Sequence, residues 1–336
     1  MHVLAADQKL WHRLALTGLG DACVQVTHSG DWRRTCMDLF TLDHIRWERK
    51  ALPPIASIPG GSGPPDWSMR REGAWPRGRW GHTVTVLDKD SFMIFGGESS
   101  GATNDVHVYH CSKGEWKVMN CQGEYPNERF GHTCVLYGAT ALIFGGSDGT
   151  HYFDDVFCLD VSTWHFSQPP TTGQPPPARS SHSMTLLGHK AFVFGGVGSD
   201  SLALGSSTLP TTFVILDLET WTWQHPEVNG TVPHERFVHR MAAMEDKLLL
   251  FGGRTMRTEH GKFNDLHWFH SKTMTWEKVE DVAGDIPVER GGCTFVALGH
   301  KVLAFCGRAQ DDVCLMDGVY ILHTNENPIR WQRVGS

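Results

Sequence analysis

A Gly-Gly pair, replaced by Cys-Gly in the last case, follows a short apolar run five times in this sequence. The second glycine falls at Gly97, Gly146, Gly196, Gly253 and Gly307, which gives intervals of 49, 50, 57 and 54 residues. Tryptophans near the end of each unit keep a similar step, at Trp116, Trp164, Trp223, Trp276 and Trp331. Self-similarity at a period of this length indicates an array of stacked structural units. The sequence therefore predicts five copies of one unit.

The first unit shows what each copy contains. Its segments GHTVTVL, FMIFGG, NDVHVYH and EWKVM, between residues 81 and 119, each have the length of a short strand. The runs VTVL and FMIF are apolar throughout, so both faces of the sheet must be covered. A lone four-stranded sheet cannot cover both faces, but stacking against the next sheet does. We therefore predict an all-β array of four-stranded blades.

The repeated residues resemble the kelch family, whose period is about 50 residues. Its units carry a basic residue and a histidine before strand one, Gly-Gly after strand two, a polar-Asp pair before strand three and a tryptophan in strand four. Three repeats match throughout, with Arg79, His82, Gly96, Gly97, Asn104, Asp105 and Trp116; Arg129, His132, Gly145, Gly146, Asp154, Asp155 and Trp164; and Arg236, His239, Gly252, Gly253, Asn264, Asp265 and Trp276. The resemblance implies a kelch-type β-propeller with repeats at about 79–119, 129–167, 179–225, 236–279 and 290–334.

Two repeats depart from this pattern. Repeat three keeps Arg179, His182, Gly195, Gly196 and Trp223, but the segment 197–212 replaces its turn and acidic pair. Repeat five keeps Arg290 and Trp331 but has Cys293 in place of the histidine and Cys306 in place of the first glycine. The ring either closes with five blades or is an incomplete six-bladed ring. The segment HIRWERK (44–50) could supply a stray fourth strand, with Trp47 in the place of Trp116.

The chain before residue 79 does not share the repeat in this interpretation. Residues 1–44 are predicted to be helical, and residues 45–78 to be a strand followed by a linker rich in proline and glycine. The patterns LW.RL at 10–14 and DWRR at 31–34 resemble the last part of an F-box. That resemblance implies docking on the Skp1 subunit of cullin-based ubiquitin ligases. The Leu-Pro opening of the F-box is absent, so a complete motif would require sequence before Met1.

Composition excludes several classes of protein. The formal charge is −7 and the acidic and basic residues are interspersed, which excludes the basic stripe of a nucleic-acid binder. The nine cysteines form no CxxC pair, and Cys134, Cys158 and Cys306 lie in apolar strand patterns, which favours a reducing compartment. Neither a signal peptide nor a run of about 18 apolar residues is present. We expect a soluble protein of the cytoplasm or nucleus, without a membrane partner.

The repeated polar residues are predicted to be structural. His82, His132, His182 and His239 share one place in the repeat and lie about a blade apart, so they cannot converge on one metal ion. Each repeat arginine can pair with the recurring aspartate of its repeat. Kelch-like propellers also include copper oxidases, but that resemblance requires two tyrosine and two histidine ligands that meet. The sequence carries no hydrolase, zincin, P-loop or dinucleotide motif. We therefore predict no enzyme activity, cofactor or metal.

Function is predicted to reside on the loops. The segments after each Gly-Gly pair are polar and project from one rim, and Asp148, His151, Arg254, Arg257 and His260 are the candidate partner-binding residues. The loop 254–263 forms a positive patch with Lys262, which predicts a partner segment bearing carboxylate or phosphate groups. The proline-rich connections NCQGEYPNE, PPTTGQPPPA and EDVAGDIPVE form a second candidate surface on the opposite rim.

The sequence thus favours a non-catalytic protein-interaction module, as the substrate-recognition subunit of an SCF-type ubiquitin ligase. The alternatives are a kelch scaffold without a ligase role and a metal-dependent enzyme.

Overall fold

The computed structural model describes residues 76–198, 213–256, 261–309, 315 and 318–334. Five antiparallel sheets follow one another through these ranges and form a β-propeller. The described ranges contain no helix, and so none that could cross a membrane. The prediction of an all-β propeller with five recognisable blades is confirmed, and three of the sheets contain a short fifth strand beyond the four that were predicted.

The four full strands of each blade run in sequence order across the sheet, and in blades 2, 4 and 5 a short preceding strand pairs with the last of them. Blade 1 contains β1 (Thr83–Val86), β2 (Ser91–Glu98), β3 (Ala102–His110) and β4 (Glu115–Met119). Blade 2 contains β5 (Gln122–Gly123), β6 (Thr133–Tyr137), β7 (Thr140–Phe144), β8 (Val156–Asp160) and β9 (His165–Ser167). Blade 3 contains β10 (Ser183–Leu187), β11 (Lys190–Phe194), β12 (Phe213–Asp217) and β13 (Thr222–Gln224).

The last two blades repeat the five-stranded form of blade 2. Blade 4 contains β14 (Asn229–Gly230), β15 (Arg240–Met244), β16 (Lys247–Phe251), β17 (Leu266–His270) and β18 (Thr275–Lys278). Blade 5 contains β19 (Val282–Gly284), β20 (Thr294–Leu298), β21 (Lys301–Phe305), β22 (Val319–His323) and β23 (Ile329–Val334). The first full strands β1, β6, β10, β15 and β20 contact one another in that order and are therefore the innermost strands.

The connections between blades are more ordered than the sequence indicated. The predicted connections NCQGEYPNE and EDVAGDIPVE contain the short strands β5 and β19, and the connection before blade 4 contains β14. Each of these strands pairs in parallel with the outermost strand of the blade that follows. In blade 3 the same role falls to a single bridge between Thr172 and Thr222. Each connection thus ties two blades together before the chain enters the inner strand of the next.

The core lies between blades. Four apolar clusters fill the four interfaces between consecutive blades, and each draws its side chains from both sheets. The cluster between blades 1 and 2, for example, joins Met93 and Phe95 of blade 1 to Ile143, Leu159 and Phe166 of blade 2. All five side chains are fully buried. Strand two of blades 2, 3 and 4 is apolar after its first residue because it faces a neighbouring blade on both sides.

A large aromatic side chain from the outermost strand crosses each interface. Ring centroids are 5.1 Å apart for Trp223 and Phe144, 5.3 Å for Trp276 and Phe194, and 5.2 Å for Trp331 and Phe251. Each tryptophan packs against the phenylalanine that ends strand two of the preceding blade. The closing tryptophans of blades 3, 4 and 5 thus lie in strand four, as predicted, and each packs across a blade interface.

The assignment of Trp164 to this role was wrong. Trp164 lies before β9, in the turn, with a φ of 57°. Phe166 occupies the aromatic position of strand four instead and is fully buried. It pairs with Leu159 on strand three, just as Trp116 of blade 1 pairs with Tyr109. Phe166 then contacts Phe95 of blade 1 with ring centroids 5.9 Å apart. An aromatic residue is required at this position, but it need not be tryptophan.

Several predictions fall outside the described residues. These are the helical segment 1–44 with its F-box resemblance, the strand HIRWERK, the linker up to residue 75, the part of the repeat-three loop at 199–212, and the site residues Arg257 and His260. They stay predictions. A smaller correction concerns Cys306, which lies just after β21 and not inside a strand.

Candidate partner-binding surface

A buried arginine holds the start of each blade. In blade 2 the Arg129 guanidinium is fully buried and donates two hydrogen bonds to Asp155, at 2.6 and 3.0 Å. It also donates to the carbonyl oxygens of Gly145 and Asn127, at 3.0 Å each. These bonds join the entry to strand one, the Gly-Gly turn and the start of strand three. The predicted pairing of the repeat arginine with the recurring aspartate is confirmed.

The same bidentate pair recurs between Arg79 and Asp105 and between Arg236 and Asp265. Burial alone would raise the pKa of the Asp105 and Asp265 carboxyl groups, but the hydrogen bonds that they accept have the larger effect. Asp105 accepts hydrogen bonds from Arg79 and His107, and Asp265 accepts them from His267 and Arg236. Each pKa therefore lies well below its usual range, and both carboxylates stay charged. These residues are scaffold, as the sequence indicated.

The repeat histidines couple neighbouring blades. Hydrogen bonds join His132 Nε2 to the Thr83 hydroxyl at 3.0 Å, His182 Nε2 to the Thr133 hydroxyl at 2.7 Å, and His239 Nε2 to the Ser183 hydroxyl at 2.7 Å. In every case the hydroxyl residue follows the histidine position of the preceding blade. Each of these bonds therefore crosses an interface between two blades.

The last interface replaces both members of this pair. Arg240 occupies the hydroxyl position of blade 4 and Cys293 the histidine position of blade 5. Arg240 Nε donates a 2.7 Å hydrogen bond to the Cys293 carbonyl oxygen. Both residues of the pair therefore differ at this interface, and a hydrogen bond from Arg240 to the backbone of Cys293 replaces the bond between histidine and hydroxyl.

No group of three or more potential metal ligands comes together in the ranges that the structure describes. The six described cysteines form no disulfide with one another. Burial raises the pKa of Cys134 to about 11 and, with the nearby Cys134, that of Cys158 to about 12, so both stay protonated. These thiols behave as small apolar side chains, in line with the sequence interpretation.

Above the buried arginines lies a surface that we call the mouth surface, because it surrounds the open ends of the innermost strands. It is built from two equivalent positions per blade, the residue after the repeat arginine and the residue after the Gly-Gly turn, joined by an isolated antiparallel bridge. The pairs are Trp80 with Glu98, Phe130 with Ser147, Ser180 with Val197, Phe237 with Arg254, and Gly291 with Arg308. Trp80 and Arg308 are exposed and Glu98, Phe130 and Arg254 are half-buried, whereas the other five are buried. The rigid blade interiors therefore fix the spacing of these side chains.

The mouth surface is polarised. Trp80 is 56% exposed and its ring centroid lies 4.7 Å from that of Phe130, which gives an aromatic platform on blades 1 and 2. Arg254 and the exposed Arg308 supply positive charge on blades 4 and 5. Sequence reasoning missed Trp80, Phe130 and Arg308. The signal for Arg308 was its place one residue after Gly307, the same step that separates Arg254 from Gly253.

The candidate residues Asp148 and His151 of blade 2 interact with each other within one loop. Asp148 accepts hydrogen bonds from the backbone N–H of Thr150 at 2.7 Å and of His151 at 2.6 Å. Its carboxylate also lies 3.2 Å from His151 Nδ1. The bonds from the His151 and Thr150 amides lower the pKa of Asp148 to about 2. Asp148 therefore shapes the loop, whereas the His151 side chain, 73% exposed, is the part that a partner can reach.

The positive loop of blade 4 is only partly as predicted. The Arg254 guanidinium lies over the Phe237 ring, 4.6 Å from its centroid, which fixes its plane against the mouth surface. Lys262 is only 7% exposed, and its ammonium donates to the Ala309 carbonyl oxygen of blade 5. The Lys262 charge is therefore not displayed as a binding group, which corrects the sequence interpretation of this loop.

The connections between blades were predicted to lie on the opposite rim, but they leave the blades at the same edge as the Gly-Gly turns, because Thr83, Phe95, Val106 and Met119 pair in one row. These connections carry scattered apolar side chains. Tyr125, Val232, Ile286 and Val288, all on the connections between blades, are between 37% and 53% exposed. Tyr125 is anchored by a 3.0 Å hydrogen bond to the Cys121 carbonyl oxygen and by contact with Phe166.

The blades, their shared Arg-Asp and histidine contacts and the mouth surface define a kelch-type propeller that displays a surface for binding. A family model, the KLHDC2/KLHL20/DRC7 Kelch-repeats domain, matches residues 66–209 and 205–336, and the chain belongs to this family.

Individual relatives match over shorter stretches. Human Kelch domain-containing protein 1 is 35% identical over 106 residues, which cover 31% of this chain and 25% of the relative. The Rab9 effector protein with kelch motifs from Gallus gallus is 39% identical over 98 residues, covering 29% and 26%. The matched stretches thus span about a quarter of these relatives' own length. The solved structure of YjhT aligns with a TM-score of 0.60 at 16% identity, over 76% of this chain and 84% of that one, which supports the fold.

Proposed function

We propose that this protein is a non-catalytic recognition module inside the cell, which binds another protein on the mouth surface. The observation that carries the proposal is the polarised pair of features there, an exposed Trp80–Phe130 platform on one side and Arg254 with Arg308 on the other. The backbone of both features is held by bridges to the blades, so little conformational entropy is lost when a partner binds. The name of the Rab9 effector relatives supports a protein as partner.

The chemistry of the surface specifies the partner segment. The Arg254 guanidinium over the Phe237 ring and the exposed Arg308 give the mouth surface positive charge, which suits carboxylate or phosphate oxygens. An aromatic platform suits an apolar side chain. The partner is therefore an acidic or phosphorylated peptide segment with an apolar residue near its charges.

Affinity capture with charge-reversed variants tests this proposal. Arg254→Glu combined with Arg308→Glu should abolish capture of the partners that the wild-type protein retains, with little change in melting temperature. Lys113→Glu combined with Lys117→Glu is the matched control, since it makes the same charge change at exposed positions of blade 1. Capture that survives in the mouth variant, or is lost equally in the control, would move the binding site elsewhere.

A ligase role is a narrower hypothesis that rests on the F-box resemblance of residues 10–34. It predicts that the chain, or a version extended before Met1, retains Skp1 in a pull-down. If neither binds Skp1, the ligase role falls and the recognition module remains. Stoichiometric copper or iron in the purified protein would instead favour the metal-dependent enzyme.

A further inference from the structure

The mouth-surface pair of blade 1, Trp80 and Glu98, combines an aromatic ring with a carboxylate. The two backbones exchange hydrogen bonds, from Trp80 N–H to Glu98 O at 3.0 Å and from Glu98 N–H to Trp80 O at 2.8 Å. Residues that pair directly in an antiparallel ladder carry their side chains on the same face, with Cβ atoms about 5 Å apart. The indole and the carboxylate therefore lie side by side on the mouth surface.

The equivalent pair of blade 4 shows which chemical group suits this arrangement. There Phe237 pairs with Arg254, and the Arg254 guanidinium lies over the Phe237 ring, 4.6 Å from its centroid. The face of an aromatic ring carries partial negative charge, so it attracts a cation and not a carboxylate. At these two positions blade 4 therefore supplies both the ring and the cation, whereas blade 1 supplies the ring and an anion.

Both members of the blade 1 pair can be reached from solvent. Trp80 is 56% exposed, and Glu98 is half-buried beside it. In the part of the chain that the structure describes, Glu98 forms no ion pair and no cation lies over the Trp80 ring. A cation placed here would thus meet a ring face and a carboxylate that are both available.

A second carboxylate borders the aromatic platform but is already engaged. The loop of Asp148 lies against Phe130, since a Cβ at Gly149 would be 3.9 Å from Phe130 Cε1. Asp148 accepts hydrogen bonds from the Thr150 and His151 amides of its own loop. Asp148 therefore adds negative charge to this side of the mouth surface, and Glu98 is the carboxylate that a ligand can approach.

We propose that Trp80 and Glu98 form a binding site for a basic side chain, a lysine or an arginine, of the partner segment. The aliphatic part of that side chain covers the indole, and its charged end lies between the ring face and the Glu98 carboxylate. The inference rests on the proposed function, because it adds a second charged contact to the same segment.

The two charged contacts would together orient the partner. Arg254 and Arg308 on blades 4 and 5 receive the acidic or phosphorylated part of the segment, and blade 1 receives its basic residue. A segment bound in the reverse direction would place like charges together at both ends of the mouth surface, which is unfavourable. The recognised segment is therefore one that carries both signs of charge in a fixed order.

Selection from a random peptide library displayed on phage tests the basic preference. The wild-type protein should enrich peptides with a lysine or arginine at a constant spacing from the acidic residues. Glu98→Gln, which removes the charge and nearly keeps the shape, should retain the acidic preference and lose the basic one. Glu115→Gln makes the same change at an exposed position of β4 and should select the same peptides as the wild type. Wild-type peptides without a basic residue, or a basic preference that survives Glu98→Gln, would overturn the proposal.

The affinity of one selected peptide measures the contact itself. Replacement of its basic residue by norleucine should weaken binding to the wild type by about fivefold to tenfold, the scale of a cation–π contact joined to an exposed ion pair. The same replacement should have less than about a twofold effect on binding to the Glu98→Gln variant. Glu98→Arg, which repeats the arrangement of blade 4, should weaken binding of the basic peptide further than Glu98→Gln does. Equal effects of norleucine on the wild type and on Glu98→Gln would show that the basic residue does not meet Glu98.

These measurements separate the failure of this inference from the failure of the proposed function. If Arg254→Glu combined with Arg308→Glu removes the acidic preference while Glu98→Gln changes nothing, recognition at the mouth surface stands and the basic contact falls. If the selected peptides depend on Glu98 but not on the two arginines, the basic contact stands and the acidic one falls. If no peptide is enriched, both fall.

Discussion

The fully buried Arg129 guanidinium depends on Asp155 for its counter-charge, and this pair orders three segments of blade 2. We predict that Asp155→Asn lowers the free energy of unfolding by about 3 kcal/mol, because removal of one partner leaves a buried charge uncompensated. Asp148→Ala, which removes a carboxylate at the surface of the same blade, should cost less than about 1 kcal/mol. Urea unfolding compares the two. Equal losses would mean that the Arg129 pair contributes no more than a loop carboxylate.

Phe166 and Trp164 lie two residues apart but differ in their surroundings. Phe166→Ala should cost about 3 to 5 kcal/mol, the usual loss for a large buried side chain. Trp164→Ala should cost clearly less, since Trp164 lies in a turn and is only partly buried. Thermal melts of both variants decide the order. A larger loss for Trp164 would restore the tryptophan as the wedge between blades 1 and 2.

At the scale of single elements, the short strands between blades depend on glycine. Gly123 has a φ of 87°, and a Cβ there would collide with the Phe166 carbonyl oxygen. Gly138 has a similar positive φ of 61°, but nothing lies within 4 Å of its Cβ position. Gly138→Ala should therefore cost about 1 kcal/mol for its backbone conformation alone. Gly123→Ala should cost more and expose the amides of Gln122 and Glu124 to hydrogen exchange. Equal stability of the two variants would show that the parallel pairing with β9 contributes little.

The elements were largely predictable from the sequence because their apolar runs and turns repeat. EWKVM coincides with β4, and VTVL and FMIF fall in β1 and β2. The short strands β5, β14 and β19 were not predicted, because two- or three-residue pairings within segments rich in proline and glycine leave no periodic signal. The site was less predictable still. The mouth surface combines positions about 17 residues apart in each repeat, such as Trp80 and Glu98, which only the bridge between them brings together.

Across the whole molecule, three buried histidines make stability depend on pH. Burial, reinforced by nearby Arg129, lowers the pKa of His132 to about 3. Burial likewise lowers the pKa of His182, beside Arg179, and of His239, beside Arg236, well below the usual value. The unfolded chain takes up these protons below about pH 6.5, whereas the folded protein does not, so stability falls as pH drops from 6.5 towards 3.

The expected loss at pH 5 is on the order of 2 kcal/mol for each histidine, relative to pH 7.5. The aspartates paired with Arg79 and Arg236 contribute only at lower pH, because their stabilisation is lost below the ordinary carboxyl pKa near 4. Guanidinium unfolding at pH 7.5, 6 and 5 measures the slope. His182→Gln should make it shallower by removing one of the three groups. A flat profile between pH 7.5 and 5 would contradict the burial of neutral histidines at the blade interfaces.

The most direct test of the mouth surface as a recognition site is selection from a random peptide library displayed on phage, with the purified chain as bait. The account predicts enrichment of peptides that combine acidic residues with an apolar or aromatic residue. It also predicts that this enrichment disappears with Arg254→Glu combined with Arg308→Glu, and weakens when Trp80→Ala removes the platform. If the selected peptides lacked acidic residues, or if the charge-reversed protein selected the same peptides as the wild type, the mouth surface would not be the recognition site.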